Sequence, residues 1–331
     1  MRHLLAAFFL FTLSLSAHAA SPACKGKDLI EELKLLDPES YQAIQREADE
    51  TPNGGAILWK IEGSDRPPSY LFGTAHVTDT RVTSMPEEAL DALRGASVVA
   101  LELAEIRDKQ LLAMAMMRYA RHMAMPAGKT LWDVIPDADE IVIRENPNLP
   151  PGREAVIGAY QPWVVATMLA IPLCEQRHIE EGSPALDEII ARTAVDRGIR
   201  LVGLESVENQ LTVFANMPLA QQADYLVATA RLGDRMDDYF ETLINQYVGR
   251  RITTLIPLSK RIEASSGGDG GALAYIEAEL IEKRNRNMRK AAIDLLDHGN
   301  AFIAVGALHL PGKGGLVELL RSSGYKVSPV N

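Results

Sequence analysis

The sequence predicts an α/β fold built on a central mixed, largely parallel sheet with helical insertions. Short apolar runs with the composition of buried strands recur along the chain, and long stretches of helical pattern separate them. An amphipathic helix ending near Arg94 is followed at once by the apolar run 98–101, an order that indicates a β-α-β crossover and a parallel strand pair. Two of the apolar runs are followed by a glycine with a histidine three residues later.

The N-terminal residues 1–19 have the organisation of a secretory signal peptide. Arg2 precedes an apolar run over 4–15, and residues 17–19 form a small-x-small cleavage site. The run is too short to span a bilayer comfortably, and no aliphatic residue stands three positions before Cys24 as a lipoprotein signal requires. We therefore expect a periplasmic or secreted protein without stable membrane insertion.

The amino-acid composition restricts the class of molecule that the protein is expected to bind. The net charge of −10 makes nucleic acid an unfavourable partner, which leaves a small molecule or a peptide as the expected substrate. Residues 20–331 are long enough for one large domain, and we expect helical segments at 106–197 and 206–297 to cover the site. The sequence does not indicate the oligomeric state.

The only two cysteines are Cys24 and Cys174. An exported chain with two thiols most simply pairs them, and the bridge would tie the mature N-terminus to the middle of the chain. The alternative is two unpaired thiols.

Turn and capping residues delimit the predicted elements. The Gly- and Pro-containing stretch 63–68 predicts that the first two strands form a hairpin. Ser84 and Glu87 have capping-box spacing, with Pro86 in the first turn of the helix that they begin. The predicted helices cover 27–36, 38–50, 84–94, 183–195, 272–297 and 316–322, and the predicted strands cover 56–61, 70–72, 98–101, 199–204, 301–305 and 325–327.

The intervening stretches are mostly helical. Residues 106–177 keep a helical pattern that Pro162 and Pro172 break or kink. Residues 206–262 are again helical, and the Gly/Ser-rich stretch 265–271 has the composition of a linker.

Four predicted strands are each followed by a group that can bind a ligand or carry a proton. His76 and His309 belong to the two Gly-x-x-His repeats, and the two carboxylates, Glu102 and Glu205, directly follow apolar strands. Because sites in parallel α/β sheets form at the carboxyl ends of the strands, these groups are expected to converge. Gly73 and Gly306, which open the two repeats, would let the backbone approach a ligand closely.

Two histidines with one or two glutamates permit two chemistries. They can hold a divalent metal and leave a position for water, or they can act as general acids and bases with shifted pKa values. The structural alternative is a set of ion pairs in which Arg284 and Arg286 neutralise the glutamates. The sequence contains neither a G-x-S-x-G nor an H-E-x-x-H motif.

Several pieces of the chain match one family in order. They are residues 59–61, 70–76, Glu102, 162–163, 204–211, 284–285 and 305–312. On these pieces the chain resembles the TraB/GumN family, which is related to the TIKI peptidases. The resemblance covers nearly the whole mature chain, from about residue 25 to the C-terminus. The paired Gly-x-x-His with an intervening glutamate is the most specific part of the resemblance.

The resemblance implies an α/β fold like that of the ChaN and erythromycin-esterase relatives, and a hydrolase. TIKI members are metal-dependent peptidases, which implies a divalent metal (Mn, Co or Zn) held by His76, His309 and Glu102, with a second glutamate taking a proton from water. The erythromycin-esterase relatives imply instead a metal-free site with a histidine base and an arginine for the oxyanion. Glu205 and Arg284 are the further site residues expected. A peptide- or ligand-sequestering protein without turnover is the remaining alternative.

Overall fold

A computed structural model describes residues 24–104 and 109–330 of the chain. The expected signal peptide at 1–19 lies outside the described residues. Within the described residues, no helix is long and apolar enough to cross a membrane.

A six-stranded sheet with the order β4-β3-β5-β2-β1-β6 forms the centre of the fold. β5 pairs in parallel with β2 and β3, and β3 pairs in parallel with β4, whereas β1 runs antiparallel to β2 and β6. The predicted α/β class with a mixed, largely parallel sheet is therefore confirmed. The strands are β1 (Leu58–Glu62), β2 (Ser69–Thr74), β3 (Val98–Leu101), β4 (Arg200–Gly203), β5 (Ala301–Gly306) and β6 (Lys326–Pro329).

The central strands are apolar on both faces because helices and loops cover both sides of the sheet. Alternate residues of β5 enter different cores: Phe302 and Ala304 belong to one cluster, and Ile303 and Val305 belong to the other. This alternation follows from the two-residue period of a strand, and full burial on both faces explains why β5 has no polar residue.

Helices account for most of the rest of the chain. They are α1 (Leu29–Leu36), α2 (Pro38–Glu50), α3 (Thr80–Thr83), α4 (Glu87–Gly95), α5 (Lys109–Met123), α6 (Asp137–Arg144), α7 (Pro162–Leu169), α8 (Leu173–Glu180), α9 (Leu186–Asp196), α10 (Val207–Ala215), α11 (Leu219–Leu232), α12 (Met236–Val248), α13 (Leu255–Ser265), α14 (Gly271–Tyr275), α15 (Arg284–Leu296) and α16 (Leu316–Ser322). A third apolar cluster, formed largely by α6, α7 and α11, lies within this helical part.

The predicted capping box is wrong. α4 begins at Glu87, its N-cap is Pro86, and no side chain caps it. Ser84 instead ends the short helix α3, whose N-cap side chain is Asp79. Because the short helix α3 ends at Ser84, this residue is not the N-cap of α4 that its spacing to Glu87 suggested.

Proline breaks the 106–177 stretch where the sequence predicts. α7 begins at Pro162, and Pro172 is the N-cap of α8. The predicted helix 272–297 is a run of α14, a π-helical segment (Ile276–Lys283) and α15.

The predicted Cys24–Cys174 disulfide is confirmed, with an S–S distance of 2.01 Å. It joins the segment before α1 to the first turn of α8. The next residue of that helix, Glu175, is buried and accepts the backbone N–H of Thr78 at 2.7 Å and its hydroxyl at 2.8 Å. The disulfide therefore lies beside the loop that carries His76.

Candidate functional site

The two Gly-x-x-His repeats meet because β2 and β5 are adjacent, parallel and in register. Thr74, the last residue of β2, pairs with Gly306, the last residue of β5. His76 follows in the loop after β2, and His309 ends a 3₁₀ turn directly after β5. Glu102 follows β3 on the other side of β5, where Leu101 pairs with Ala304.

His76 is oriented by a buried carboxylate. Its Nδ1 lies 2.7 Å from Oδ2 of Asp187, a residue in the first turn of α9. The hydroxyl of Thr74 donates to Oδ1 of the same carboxylate at 2.8 Å, which fixes the orientation of Asp187. The Asp187 charge raises the pKa of His76 to about 9. The imidazole still presents 62% of its side-chain surface, so its other nitrogen is accessible.

His309 is oriented by a buried amide. Its Nδ1 lies 2.7 Å from Oδ1 of Asn285, in the first turn of α15. Since Oδ1 can only accept, Nδ1 carries the proton, and Nε2 has a free lone pair. Burial disfavours the charged ring and lowers the pKa of His309 to about 4, although the nearby charge of Glu102 opposes this shift.

Glu102 connects the histidines to a buried arginine. Its Oε1 accepts the backbone N–H of Gly306 at 2.7 Å and lies 3.6 Å from Nε2 of His309. Its Oε2 accepts from Nη2 of Arg284 at 2.6 Å and from Nε2 of Gln210 at 3.1 Å. Burial opposes ionisation of this carboxyl, but the charges of His309, Arg284 and His76 overcome it and lower the pKa to about 2. Glu102 is therefore an anion at neutral pH.

Glu205 and Arg284 form a buried pair behind Glu102. Nε of Arg284 donates to both oxygens of Glu205, at 2.9 Å and 3.2 Å, and Nη2 binds the same carboxylate. The Glu205 side chain is 2% exposed. Arg286 lies on the surface and pairs with Glu282 across one helical turn, so of the two predicted arginines it is Arg284 that neutralises the site glutamates.

Gly73 and Gly306 each lack a side chain for a different local reason. A Cβ on Gly306 would lie 3.2 Å from Oε1 of Glu102 and 3.6 Å from Nε2 of His76, so the missing side chain leaves space between these atoms. A Cβ on Gly73 would lie 3.0 Å from the Cα of Ala307. Gly73 therefore permits close packing of the two strand ends, whereas Gly306 faces the histidines and Glu102.

The potential metal ligands, on His76, His309 and Glu102, are not all closely spaced. Oε1 of Glu102, Nε2 of His76 and Cδ2 of His309 surround Gly306, but the ligand atoms of these three residues are not all within 4.8 Å of one another. Among the residues at 24–104 and 109–330, the group that meets this spacing is Cys24, Glu175 and His178. The sulfur of Cys24 is bound in the disulfide and is not a thiolate, so that second group lacks its strongest ligand.

A cavity of about 470 Å³ opens over the two histidines. Glu102, Arg284 and Gly306 share its wall with them, and α11, α12, α13 and the π-helical segment supply mostly apolar side chains to the remainder. A pocket of this size with few convergent polar groups is typical of a small-molecule or peptide site.

Three residues of this cluster were not predicted as site residues: Asp187, Asn285 and Gln210. Asn285 and Gln210 do lie in stretches that match the family, beside Arg284 and after Glu205. Asp187 carries no motif, and only the three-dimensional contact with His76 identifies it.

The TraB/PrgY/gumN family model matches residues 57–329, which include all six strands. The chain belongs to this family. The match begins just before β1 and includes both Gly-x-x-His repeats, so the predicted family membership is confirmed.

The curated relatives are TIKI proteins. The chain is 28% identical to the metalloprotease TIKI1 of Danio rerio over 319 residues, which cover 82% of the chain and 62% of that protein. It is 26% identical to the metalloprotease TIKI1 of Homo sapiens, over 82% of the chain and 61% of the relative. It is 23% identical to a metalloprotease TIKI homolog of Amphimedon queenslandica, over 89% of the chain and 65% of the relative. The chain thus spans less than two thirds of the length of these relatives. No solved structure shows significant similarity to the chain.

Proposed function

We propose that the protein is an exported hydrolase of the metallopeptidase type that acts on peptides. The observation that carries the proposal is the matched orientation of the two imidazoles. Asp187 and Asn285 each engage an Nδ1, so Nε2 is the nitrogen of each ring that is left for a ligand, beside Gly306 in His76 and 3.6 Å from Oε1 of Glu102 in His309. Metal-binding histidines typically have their second nitrogen held by a carboxylate or carbonyl in this way.

The chemical types of the donors suit a divalent cation such as Mn²⁺, Co²⁺ or Zn²⁺. His76, His309 and Glu102 would hold it with two imidazole nitrogens and one carboxylate oxygen, a ligand type common in catalytic sites. When bound, such an ion activates water and polarises a carbonyl group. Because a metal ligand must be deprotonated, a bound cation would compete with the proton that Asp187 stabilises on His76.

The protein groups around these three side chains have separate tasks. Arg284 and Gln210 hold Oε2 of Glu102, so that Oε1 stays directed at His309. Glu205 has both oxygens on Arg284 and does not line the cavity. We therefore assign Glu205 to the positioning of Arg284, and not to the transfer of a proton from water.

Similarity to the TIKI metalloproteases supports a peptide substrate, and the apolar cavity wall supports a segment with apolar side chains. Export is supported by the leader-like sequence at 1–19 and by the disulfide, since disulfides persist mainly in oxidising compartments.

The test combines metal analysis with turnover. The protein is purified without added ions, its metal content is measured, and a library of quenched fluorescent peptides is offered before and after chelation. We expect close to one equivalent of a divalent metal and peptide cleavage that chelation abolishes and readdition restores. His309→Ala should lose both metal and cleavage. Protein without metal that still cleaves, or metal-loaded protein that cleaves nothing, contradicts the proposal.

The second candidate is a metal-free, histidine-based hydrolase of the esterase type. The Thr74–Asp187–His76 chain favours it, because a buried carboxylate on Nδ1 is also the arrangement that orients a catalytic histidine. Turnover of esters that chelators leave unchanged would support this candidate. Peptide binding without any turnover would support the sequestering alternative.

A further inference from the structure

Glu263 on α13 is a buried carboxylate in the wall of the same cavity. The residue is 3% exposed. No donor among the described residues meets Oε1 or Oε2 in ordinary hydrogen-bond geometry, and only weaker contacts from the backbone N–H groups of Leu273 and Ala272 act on this carboxyl. Across residues 24–104 and 109–330, no lysine, arginine or histidine forms an ion pair with it either. A buried carboxylate without a partner is costly, so its presence needs a reason.

The surroundings of Glu263 do not supply a compensating charge. Burial raises the pKa of its carboxyl, the backbone N–H groups of Leu273 and Ala272 at the start of α14 partly offset this, and Asp269 and Asp224 add further negative charge. A carboxylate or phosphate ligand would be repelled here, whereas a cation would be attracted. This part of the cavity therefore selects a positively charged group.

The other side chains of the cavity wall restrict the kind of ligand that can carry this positive charge. The side chains lining the cavity between α11, α12, α13 and the π-helical segment are mainly apolar, including Leu232, Phe240, Ile262 and Leu273. A ligand that fills this cavity is therefore apolar along its length and cationic at one point.

Resting on the proposed peptide hydrolase, we propose that Glu263 binds the free α-ammonium group of an apolar peptide substrate. The ammonium has three N–H donors, and the two unpartnered oxygens of Glu263 can accept two of them. Glu263 would then determine specificity by selecting peptides with a free amino terminus in the cavity that the histidines and Glu102 also line.

The experiment measures binding, so it does not depend on turnover. The probes are trileucine amide, which has a free amino group, and N-acetyl-trileucine amide, which does not. Their dissociation constants are measured by calorimetry on metal-depleted wild type, Glu263→Gln and Glu282→Gln. Glu282 is the matched control because it is an exposed glutamate that pairs on the surface with Arg286.

We expect wild type and Glu282→Gln to bind the free amine about tenfold more tightly than the acetylated peptide, the range of a charge-assisted hydrogen bond. Glu263→Gln should bind both peptides within about twofold of each other, because the charge is gone while the shape is kept. The wild-type comparison of the two peptides needs no variant, so it decides the matter even if Glu263→Gln folds poorly.

Equal binding of the two probes by wild type overturns the inference, as does a preference for the amine that survives in Glu263→Gln. Either result leaves the proposed hydrolase standing if peptide cleavage is found. Conversely, amine-selective binding by a protein that cleaves no peptide supports the role of Glu263 in recognition and removes only the catalytic proposal.

Discussion

Asp187 and Asn285 determine which nitrogen of each site histidine is available. Both contact Nδ1 at 2.7 Å, yet one partner is a carboxylate and the other an amide, so the two rings have opposite pKa shifts. The carboxylate stabilises a charged His76, whereas burial beside a neutral partner keeps His309 uncharged. Two chemically identical side chains at equivalent strand ends are thereby made different.

Asp187→Asn should lower activity without unfolding the protein. The amide keeps the shape but loses the charge, so it no longer stabilises the proton on Nδ1 of His76. Loss of such a supporting residue typically costs about 10- to 100-fold in metal affinity or activity. The measurement is metal affinity together with kcat and KM. Asp196→Asn, at the exposed end of α9, is the control, and equal losses in both variants would contradict a specific role for Asp187.

Glu102→Gln should abolish most turnover and leave the melting temperature near that of wild type. Arg284 keeps its pairing with Glu205, so no buried charge is left alone. The amide removes the anion and places a donor where one carboxylate oxygen accepts, from Gly306 at Oε1 or from Arg284 at Oε2. Thermal unfolding and metal content are compared with Glu208→Gln, which loses a surface pair with Arg118. A large fall in melting temperature with activity retained would indicate a purely structural ion pair.

His76→Ala and His309→Ala should each remove most activity, and the double variant should be little worse than either. Groups that act as one unit are non-additive in mutant kinetics. The measurement is kcat/KM for the two single variants and the double variant. If the two losses in kcat/KM multiply in the double variant, the two Gly-x-x-His repeats have separate functions.

Among the secondary-structure elements, α13 carries the buried carboxyl of Glu263, and the start of α14 supplies the backbone N–H groups beside it. Burial raises the pKa of this carboxyl above its usual 4.5, so the folded state holds the proton more tightly than the unfolded state. The resulting contribution to stability is present below pH 4.5 and is lost as the pH rises through the folded-state pKa.

Glu263→Gln should therefore melt at a higher temperature than wild type at neutral pH, and this advantage should shrink as the pH falls towards 4.5. The amide cannot ionise, so it avoids the cost of a buried charge. Thermal unfolding of wild type, Glu263→Gln and Glu282→Gln across this pH range measures the effect. A variant that is less stable than wild type at pH 7 would show that the charge stabilises the start of α14.

The sequence predicts most strands well because buried parallel strands are continuous apolar runs, as in β3 and β5. It does not reveal the π-helical segment. Ile276, Leu280 and Ile281 all line the cavity, and their spacing suits an α-helix as well as a π-helix. The capping box was misplaced for a related reason, since Ser84 ends one helix where its spacing to Glu87 suggested the start of the next.

The site was predictable where it depends on strand ends, and unpredictable where it depends on packing. His76, Glu102 and His309 follow strands that parallel pairing aligns. Asp187 and Glu263 come from helices, and their direction depends on how the helical part packs on the sheet. No local pattern marks either residue.

For the whole molecule, the disulfide closes a loop with a sequence separation of 150 residues. The double variant Cys24→Ser/Cys174→Ser should lose about 2–5 kcal/mol of unfolding free energy. Urea unfolding of the variant and of the oxidised wild type measures this loss. Thiol titration of unfolded, non-reduced wild type should find no free sulfhydryl, and two reactive thiols would rule out the bridge in the isolated protein.

The position of β5 in the sheet has a consequence for the order of events during synthesis. β5 alone joins β3 and β4 to β2, β1 and β6, yet it is the fifth of the six strands to leave the ribosome. Until Ala301–Gly306 is available, the two halves of the sheet have no shared partner and their apolar edges stay unpaired. Joining of the two halves of the sheet and arrival of His309 are thus one late step, so we expect the site to form only after nearly all of the chain has been synthesised.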